Sequence, residues 1–374
     1  MRALPSLPLL PPPKRLSPWA WATALLLFCA AGAGLTLWRW PTDAPTNTLE
    51  FWFWTAAFGP LLWAFLLCLR GVAYYSADND AVFFKEELTQ RQQYWLAHHR
   101  QTASLAAWAL LTPQARGEAE WAALCAAAKP PPAASLRQRP PGWEAAPGYA
   151  EIETRLASRL ALALRTSQSG PDVPLALELY WQGTDTGRTR FVDALLAHWP
   201  GLSVGSLRRW ESMQTLDAAI ERLHTPAADG SVPAAVLCAG LALDPQQPTR
   251  QAGFAWLLRR PGPNDAVRLS RPEWSDDGED VCAGATRNAE QAPAVCLGLD
   301  KLTPTAPPWP RPDKGLRPWW DGPPELDGPA LCTLAAIHAA AQRQPCGWLL
   351  QAQNVLYAGM ALPAASLSNN KDTA

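Results

Sequence analysis

The run VPAAVLCAGLAL, Val232–Leu243, is followed after a polar break by GFAWLL, Gly253–Leu258. Both stretches are apolar without alternation, and both are too short to cross a bilayer. They predict neighbouring strands buried on both faces, as in a sheet covered by helices. Working outward supports this. Upstream, Ile152, Leu156, Leu160 and Ala163 share one helix face, and PLALELYW at Pro174–Trp181 predicts a strand with Leu175, Leu177 and Leu179 on one side. Arg190–Trp199 predicts a helix, with Phe191, Leu195 and Trp199 at four-residue spacing and Pro200 and Gly201 as its stop. Thr215 is read as the cap of a helix carrying Leu216, Ile220 and Leu223. Downstream, Leu331–Ala341 predicts a helix with Leu334 and Ile337 inward, and Gly347–Tyr357 predicts one closing strand. Helices alternating with apolar strands indicate a layered α/β domain.

The chain has 374 residues, 48% hydrophobic and 17% charged, with 38 prolines and 20 tryptophans. Charges are too few for a disordered polyelectrolyte, and eight cysteines too sparse for a disulfide scaffold. A formal net charge of -1 gives no electrostatic footprint for nucleic acid.

Two segments lack charge over the length a helix needs to span a bilayer: Trp19–Trp38 and Phe51–Leu69, the second interrupted by Pro60. Trp19, Trp21, Trp38, Trp40, Trp52, Trp54 and Trp63 lie in or beside them, mostly near the span ends, where an indole favours the membrane interface. Arg2, Lys14 and Arg15 precede the first span and Arg70 and Lys85 follow the second, whereas the intervening loop carries only Arg39 beside Asp43 and Glu50. Basic flanks stay in the cytoplasm, so both termini are expected there, in a bacterial inner membrane. A cleaved signal peptide is the competing reading of the first span, disfavoured by its long apolar core and the second span directly behind it. Ala30 and Gly34 have the small-xxx-small spacing that brings helices close, or are ordinary composition.

The expected organisation is a two-span anchor over 1–75, a helical stalk over 76–128, a proline-rich linker over 129–148 and the α/β domain over 149–374. Within that domain, residues 260–329 lack periodicity and are read as an insertion. It contains the acids Asp276, Asp277, Glu279 and Asp280, then the run TPTAPPWPRPDKGLRPWWDGPPELDGP. Prolines there restrict the backbone around Trp309, Trp319 and Trp320, making these indoles the candidate partner-binding residues; the competing reading folds them back over the domain's own core.

No catalytic, cofactor-binding or metal-binding residues are assigned. Cys125, Cys238, Cys282, Cys296, Cys332 and Cys346 contain no CxxC pair, and the acidic run lacks the spacing of a calcium loop. Reduced thiols are expected in the cytoplasm; a periplasmic domain would leave Cys282 with Cys296 and Cys332 with Cys346 as disulfide pairs. His98, His99, His198, His224 and His338 form no HExxH pair. Neither a phosphate-binding GxxxxGK[ST] loop nor a GxGxxG turn is present, and no nucleophile elbow of the GxSxG kind is expected.

Two membrane segments, a Pro-rich connection and a domain carrying VPAAVLCAGLALDPQQPTRQAGFAWLLRR together resemble the type VI secretion lipase adapter family. That resemblance implies a scaffold that binds a lipase-like effector and loads it on the secretion spike. Residues 150 to 360 are also similar to the thiolase-like fold, with Val236–Leu243 as a central strand and Ala252–Leu258 beside it. In thiolase-like synthases a nucleophilic cysteine precedes this strand pair, but Trp181–Pro233 contains none, and no HGT or NxxHxG-like motif follows near the end. The combined expectation is a membrane-anchored, non-catalytic adapter without cofactors, whose partners are a protein client, the spike and the bilayer. The alternatives are a degenerate or unrecognised thiolase-like enzyme and a structural envelope component.

Overall fold

The computed structural model describes residues 13–15, 17–112, 117–127, 148–168, 175–226, 230, 232–243, 251–263, 265–276, 280–300, 309–310, 315–320 and 322–363. The proline-rich linker expected at 129–148 lies outside them, except for Gly148. The chain divides into two compact units, one ending at Trp95 and one beginning at Leu96.

The first unit is a helical pair. Helix α1, Pro18–Arg39, starts with Ser17 accepting from the Ala20 amide and with proline in its first turn, where the missing N–H costs nothing. The second helix runs unbroken over 49–99. It comprises α2 (Leu49–Trp52), a π-turn (Phe53–Ala57) and α3 (Phe58–His99). Pro60 explains the π-turn: its ring crowds the carbonyl four residues back, and a wider turn relieves the clash. Both helices are long and apolar enough to cross a membrane. They approach at Gly32 and Gly59, where a Cβ on Gly59 would stand 2.5 Å from the Phe28 carbonyl oxygen. Trp63 Nε1 donates to the Trp21 carbonyl at 2.9 Å. Ala30 is exposed and Gly34 faces open space, so of the two readings of their spacing ordinary composition applies, and the crossing is made at Gly32 and Gly59.

In the second unit the largest correction concerns the stalk. Helix α3 ends at His99, and Thr102–Leu111 is not helical but forms strand β1, followed by helix α4 (Glu118–Ala126). TASLAAWALL is apolar on both faces, so its Leu and Trp spacing mimics a helix while its neighbours make it a central strand. Helix α5 (Tyr149–Ser167), β2 (Leu175–Gln182), α6 (Asp185–His198), β3 (Leu202–Arg209), α7 (Gln214–His224), β4 (Ala235–Ala242) and β5 (Ala252–Arg259) follow. Then come β6 (Val267–Ser270), β7 (Glu273–Ser275), α8 (Val281–Ala289), β8 (Val295–Gly298), α9 (Asp327–Gln342), β9 (Cys346–Ala352) and β10 (Val355–Pro363). Residues 260–329 are therefore not a plain insertion, because β6, β7 and β8 belong to the sheet and α8 packs on it. The single closing strand is likewise corrected to a β9–β10 hairpin that turns at Gln353, whose φ is 55°.

The strands order β3-β2-β4-β5-β1-β6-β10-β9-β8, with β7 paired to β10. This order contains a repeat. In the first half β2 and β4 are parallel, β4 and β5 form an antiparallel hairpin, and β5 pairs antiparallel with β1. In the second half β8 and β9 are parallel, β9 and β10 form the hairpin, and β10 pairs antiparallel with β6. The halves meet at the antiparallel β1–β6 pair. Helix α7 precedes the first hairpin and α9 the second. Among the described residues, the second half has no counterpart of α6 and β3. Gly315, in the described part of the Pro/Trp-rich segment, bridges Gly298 in parallel, as β3 does to β2.

Alternation along β4 divides the core. Val236 and Cys238 face α4, α7 and α9, while Leu237, Ala239 and Leu241 face α5 and α6. Helix α8 covers β8, β9 and β10 on the second half through Val281, Cys282, Ala285, Leu349 and Met360. The result is a three-layered α/β/α arrangement, the class expected from the alternation of helices and strands.

Candidate functional site

The carboxyl ends of the parallel strands β2, β3 and β4 open into a cleft of about 970 Å³, the usual place for a site in a sheet of this kind. Its lining comes from Gln182–Thr184 after β2, Arg209–Glu211 between β3 and α7, Leu241–Leu243 at the end of β4, and Pro323–Glu325 just before α9. Gly183 has φ +125° and a Cβ there would stand 2.7 Å from the Leu241 carbonyl oxygen, so both conformation and space demand glycine. Gln182 Nε2 donates to the Glu325 carbonyl at 2.8 Å, fixing the approach to α9 against the end of β2. Its Oε1 is buried with no donor. Arg209, Glu211 and Glu325 are exposed, and among the described residues none of their side chains forms an ion pair.

Directly behind this lining, the starts of α7 and α9 are closed by packing. Met213 is the N-terminal flanking residue of α7 and is 3% exposed. A Cβ on Gly328, in the first turn of α9, would lie 2.7 Å from Met213 Sδ and 3.2 Å from Leu350 Cδ2. Trp210 packs edge-on against Phe254 and Trp256, with ring centroids 5.3 and 5.6 Å away. The start of α7, between β3 and β4, thus presents Ser212, Met213 and Gln214, with Met213 buried.

The thiols lie elsewhere. All eight cysteines are unbonded, and the six in the α/β unit are buried. Burial pushes the Cys238 and Cys332 thiols far above the usual thiol range, and Cys282 up to about 12, with Asp280 adding to it. Such groups are poor nucleophiles. Cys238 on β4 and His338 on α9 are both buried and do not line the cleft. Gly201–Leu202–Ser203–Val204–Gly205 fits the letters of a GxSxG motif, a match that the sequence reading passed over. Ser203, however, lies inside the exposed strand β3 and not on a turn into a helix, so the motif lacks the geometry that gives it meaning. Asp280 caps α8, accepting from Ala283 N at 3.0 Å, and Asp277 and Glu279 lie outside the described residues. Among the described residues, no group of three or more His, Cys, Asp or Glu side chains is arranged to hold a metal ion.

The three tryptophans are not a shared exposed surface. Trp309 is 5% exposed, covers Gly347 and donates to Thr286 Oγ1 at 2.7 Å; Trp320 is 1% exposed and donates to Asp327 Oδ1 at 2.7 Å. Trp319 is half-buried against the main core. Trp309 joins the core beneath α8, whereas Trp319 and Trp320 join the core of α4, α7 and α9 on the other face of the sheet. Asp327 is raised above the ordinary carboxyl range by burial, which Arg317 and the Trp320 indole oppose.

No protein-family model matches the sequence, and no curated protein matches it. Among solved structures the chain is similar to an oxazolomycin ketosynthase domain from Streptomyces albus, at 12% identity and TM-score 0.48, covering 70% of this chain and 95% of that one. It is also similar to 3-oxoacyl-(acyl carrier protein) synthase III from Pseudomonas aeruginosa, at 13% identity and TM-score 0.36, over 70% and 98% of the two chains. A monomeric SCP2-thiolase like protein from Mycobacterium smegmatis matches at 8% identity and TM-score 0.41, over 71% and 78%. At such identities and scores these matches bring neither reaction nor substrate to this chain. Its layered α/β class rests on its own strand order.

Proposed function

We propose that this chain is a membrane-anchored, catalytically silent relative of the thiolase-like scaffold that holds a protein client. The observation carrying this reading is the start of α7, where Met213 packs against the start of α9 and no thiol or other activated nucleophile replaces it. Chemistry at this position needs a reacting atom exposed to the cleft and a base within hydrogen-bond reach. The cleft lining instead offers an amide, a guanidinium, two carboxylates and the Thr184 hydroxyl, which is held as the cap of α6 between Glu153 Oε1 and the Gly187 amide, in front of a closed core. The internal repeat and the order of the strands support the thiolase-like part, and the two apolar helices support the membrane part. From the basic flanks we infer that both termini and the α/β unit lie on the cytoplasmic face of the inner membrane.

A secreted lipase-like effector of the type VI system is the client that the adapter resemblance implies, with the spike as destination. The test is isolation of the tagged full chain from native membranes in detergent, as wild type and with Arg209→Ala. A single client recovered in stoichiometric amount by the wild type and lost with Arg209→Ala supports the proposal; identification of that client as a lipase supports its finer part. Turnover of an acyl thioester by the isolated protein, or client recovery unaffected by changes in the cleft, would overturn it.

A further inference from the structure

Most buried charge in the α/β unit is neutralised internally. Glu178 is held by Arg222 at 2.6 Å, Asp217 by Arg271 at 2.5 Å, and Glu153 by Arg190 at 3.2 Å. The cleft is different. Among the described residues it gathers two carboxylates without an ion pair, Glu211 on the approach to α7 and Glu325 on the approach to α9, with Arg209 as the cation of the lining. Between these two approaches stands Gln182, whose amide nitrogen is spent on the Glu325 carbonyl while its oxygen has no donor. A buried acceptor without a donor costs free energy until one arrives. Pro323 and Leu241 add apolar wall, suited to the methylene stem of a long side chain.

We propose that the cleft receives an extended peptide segment of the client and that its defining group is a lysine or arginine side chain. The cation sits between Glu211 and Glu325, its N–H groups or the adjacent peptide N–H satisfy Gln182 Oε1, and Arg209 pairs with an acidic or terminal carboxylate of the same segment. The charge balance of the described lining favours a basic ligand over an acidic one, because it holds two carboxylates and one guanidinium. Clefts with like charge gathered on low-dielectric walls concentrate the opposite charge. This assignment rests on the client-binding reading above.

The experiment uses the full chain in neutral detergent micelles and two fluorescein-labelled probes, a lysine hexapeptide and a glutamate hexapeptide, with binding read by anisotropy. The lysine probe binds, and Glu211→Gln with Glu325→Gln weakens it about tenfold, the effect of losing roughly 1.4 kcal/mol of charge pairing. Glu120→Gln, an exposed change on α4, leaves it unchanged. Unaltered circular dichroism shows that the glutamine variants remain folded. Equal or tighter binding of the glutamate probe, or a lysine affinity unmoved by the double variant, overturns the proposal. In that event a native client still lost with Arg209→Ala leaves the client-binding reading standing, whereas failure of both removes it as well.

Discussion

Replacing Arg271 with methionine removes the most completely enclosed cation of the α/β unit. The residue is 1% exposed, and its guanidinium reaches Asp217 Oδ1 at 2.5 Å, Glu221 Oε2 at 3.3 Å, the His98 carbonyl at 3.0 Å and His98 Nε2 at 2.8 Å. It thereby ties the end of α3 to α7 and to the turn after β6. Methionine fills most of the volume of the stem, so the cavity contribution is small. The dominant cost falls on Asp217, itself 3% exposed, which loses the guanidinium that neutralises it. Breaking a buried pair by removing one partner costs about 3–5 kcal/mol. With a denaturant slope of about 3 kcal/mol/M, the urea midpoint falls by about 1–1.7 M. The assay is urea unfolding of the full chain in detergent, followed by tryptophan fluorescence. The double variant Arg271→Met with Asp217→Leu removes the unneutralised carboxylate and recovers part of the loss, leaving about 1–3 kcal/mol for the donors taken from His98 and Gln101. A single variant that shifts the midpoint by less than about 0.3 M, or a double variant no more stable than the single, would refute this reasoning.

Other consequences are accessible to simple measurements. Burial holds the Tyr180 phenol at about 12, against an ordinary 10.0. Between these values the unfolded chain gives up the proton and the folded one keeps it. Stability therefore falls as pH rises through that window, by up to about 2.7 kcal/mol; ultraviolet difference titration should show a late phenolate that Tyr180→Phe abolishes. Gly59→Val forces a methyl-bearing carbon onto the Phe28 carbonyl and separates the helical pair, so cross-linking between cysteines placed at Trp21 and Trp63, whose rings lie 6.4 Å apart, should fall at least severalfold. A thiol reagent added to the native protein should spare Cys238, Cys332 and Cys346 and label them only on unfolding, since burial both hides them and raises their pKa.

The parts of the fold that the sequence made legible are those with a strong single signal. Val232–Leu243 and Gly253–Leu258 are strands because nothing polar interrupts them, and Leu216, Ile220 and Leu223 line the buried face of α7 as their spacing implies. The start of α6 was less legible, since Thr184 caps it by accepting from Gly187 N at 2.9 Å, six residues before the apolar spacing becomes regular. Strand β1 was hidden by being apolar on both faces. The second half of the sheet was hidden for another reason. Strands β6, β7 and β8 have four, three and four residues, too short to show a period, and VCAGATRNA is a weak helix sequence whose stability comes from packing. The tryptophans at 309, 319 and 320 gave a correct signal of something unusual, but composition alone does not separate a ring that docks a partner from one that closes a core. The cleft left no trace in the sequence at all: Gln182, Arg209, Glu211 and Glu325 come from three separate connections and are brought together only by the strand order.

The central claim is that a thiolase-like scaffold here binds and does not react. Incubation of the detergent-solubilised protein with a reactive acyl thioester, followed by intact mass measurement and peptide mapping, tests it most directly. The account predicts no acyl adduct on any residue of the α/β unit and no release of thiol above the uncatalysed rate. An acyl group found on Cys238, Cys332 or Ser203, with thiol released in step, would contradict it.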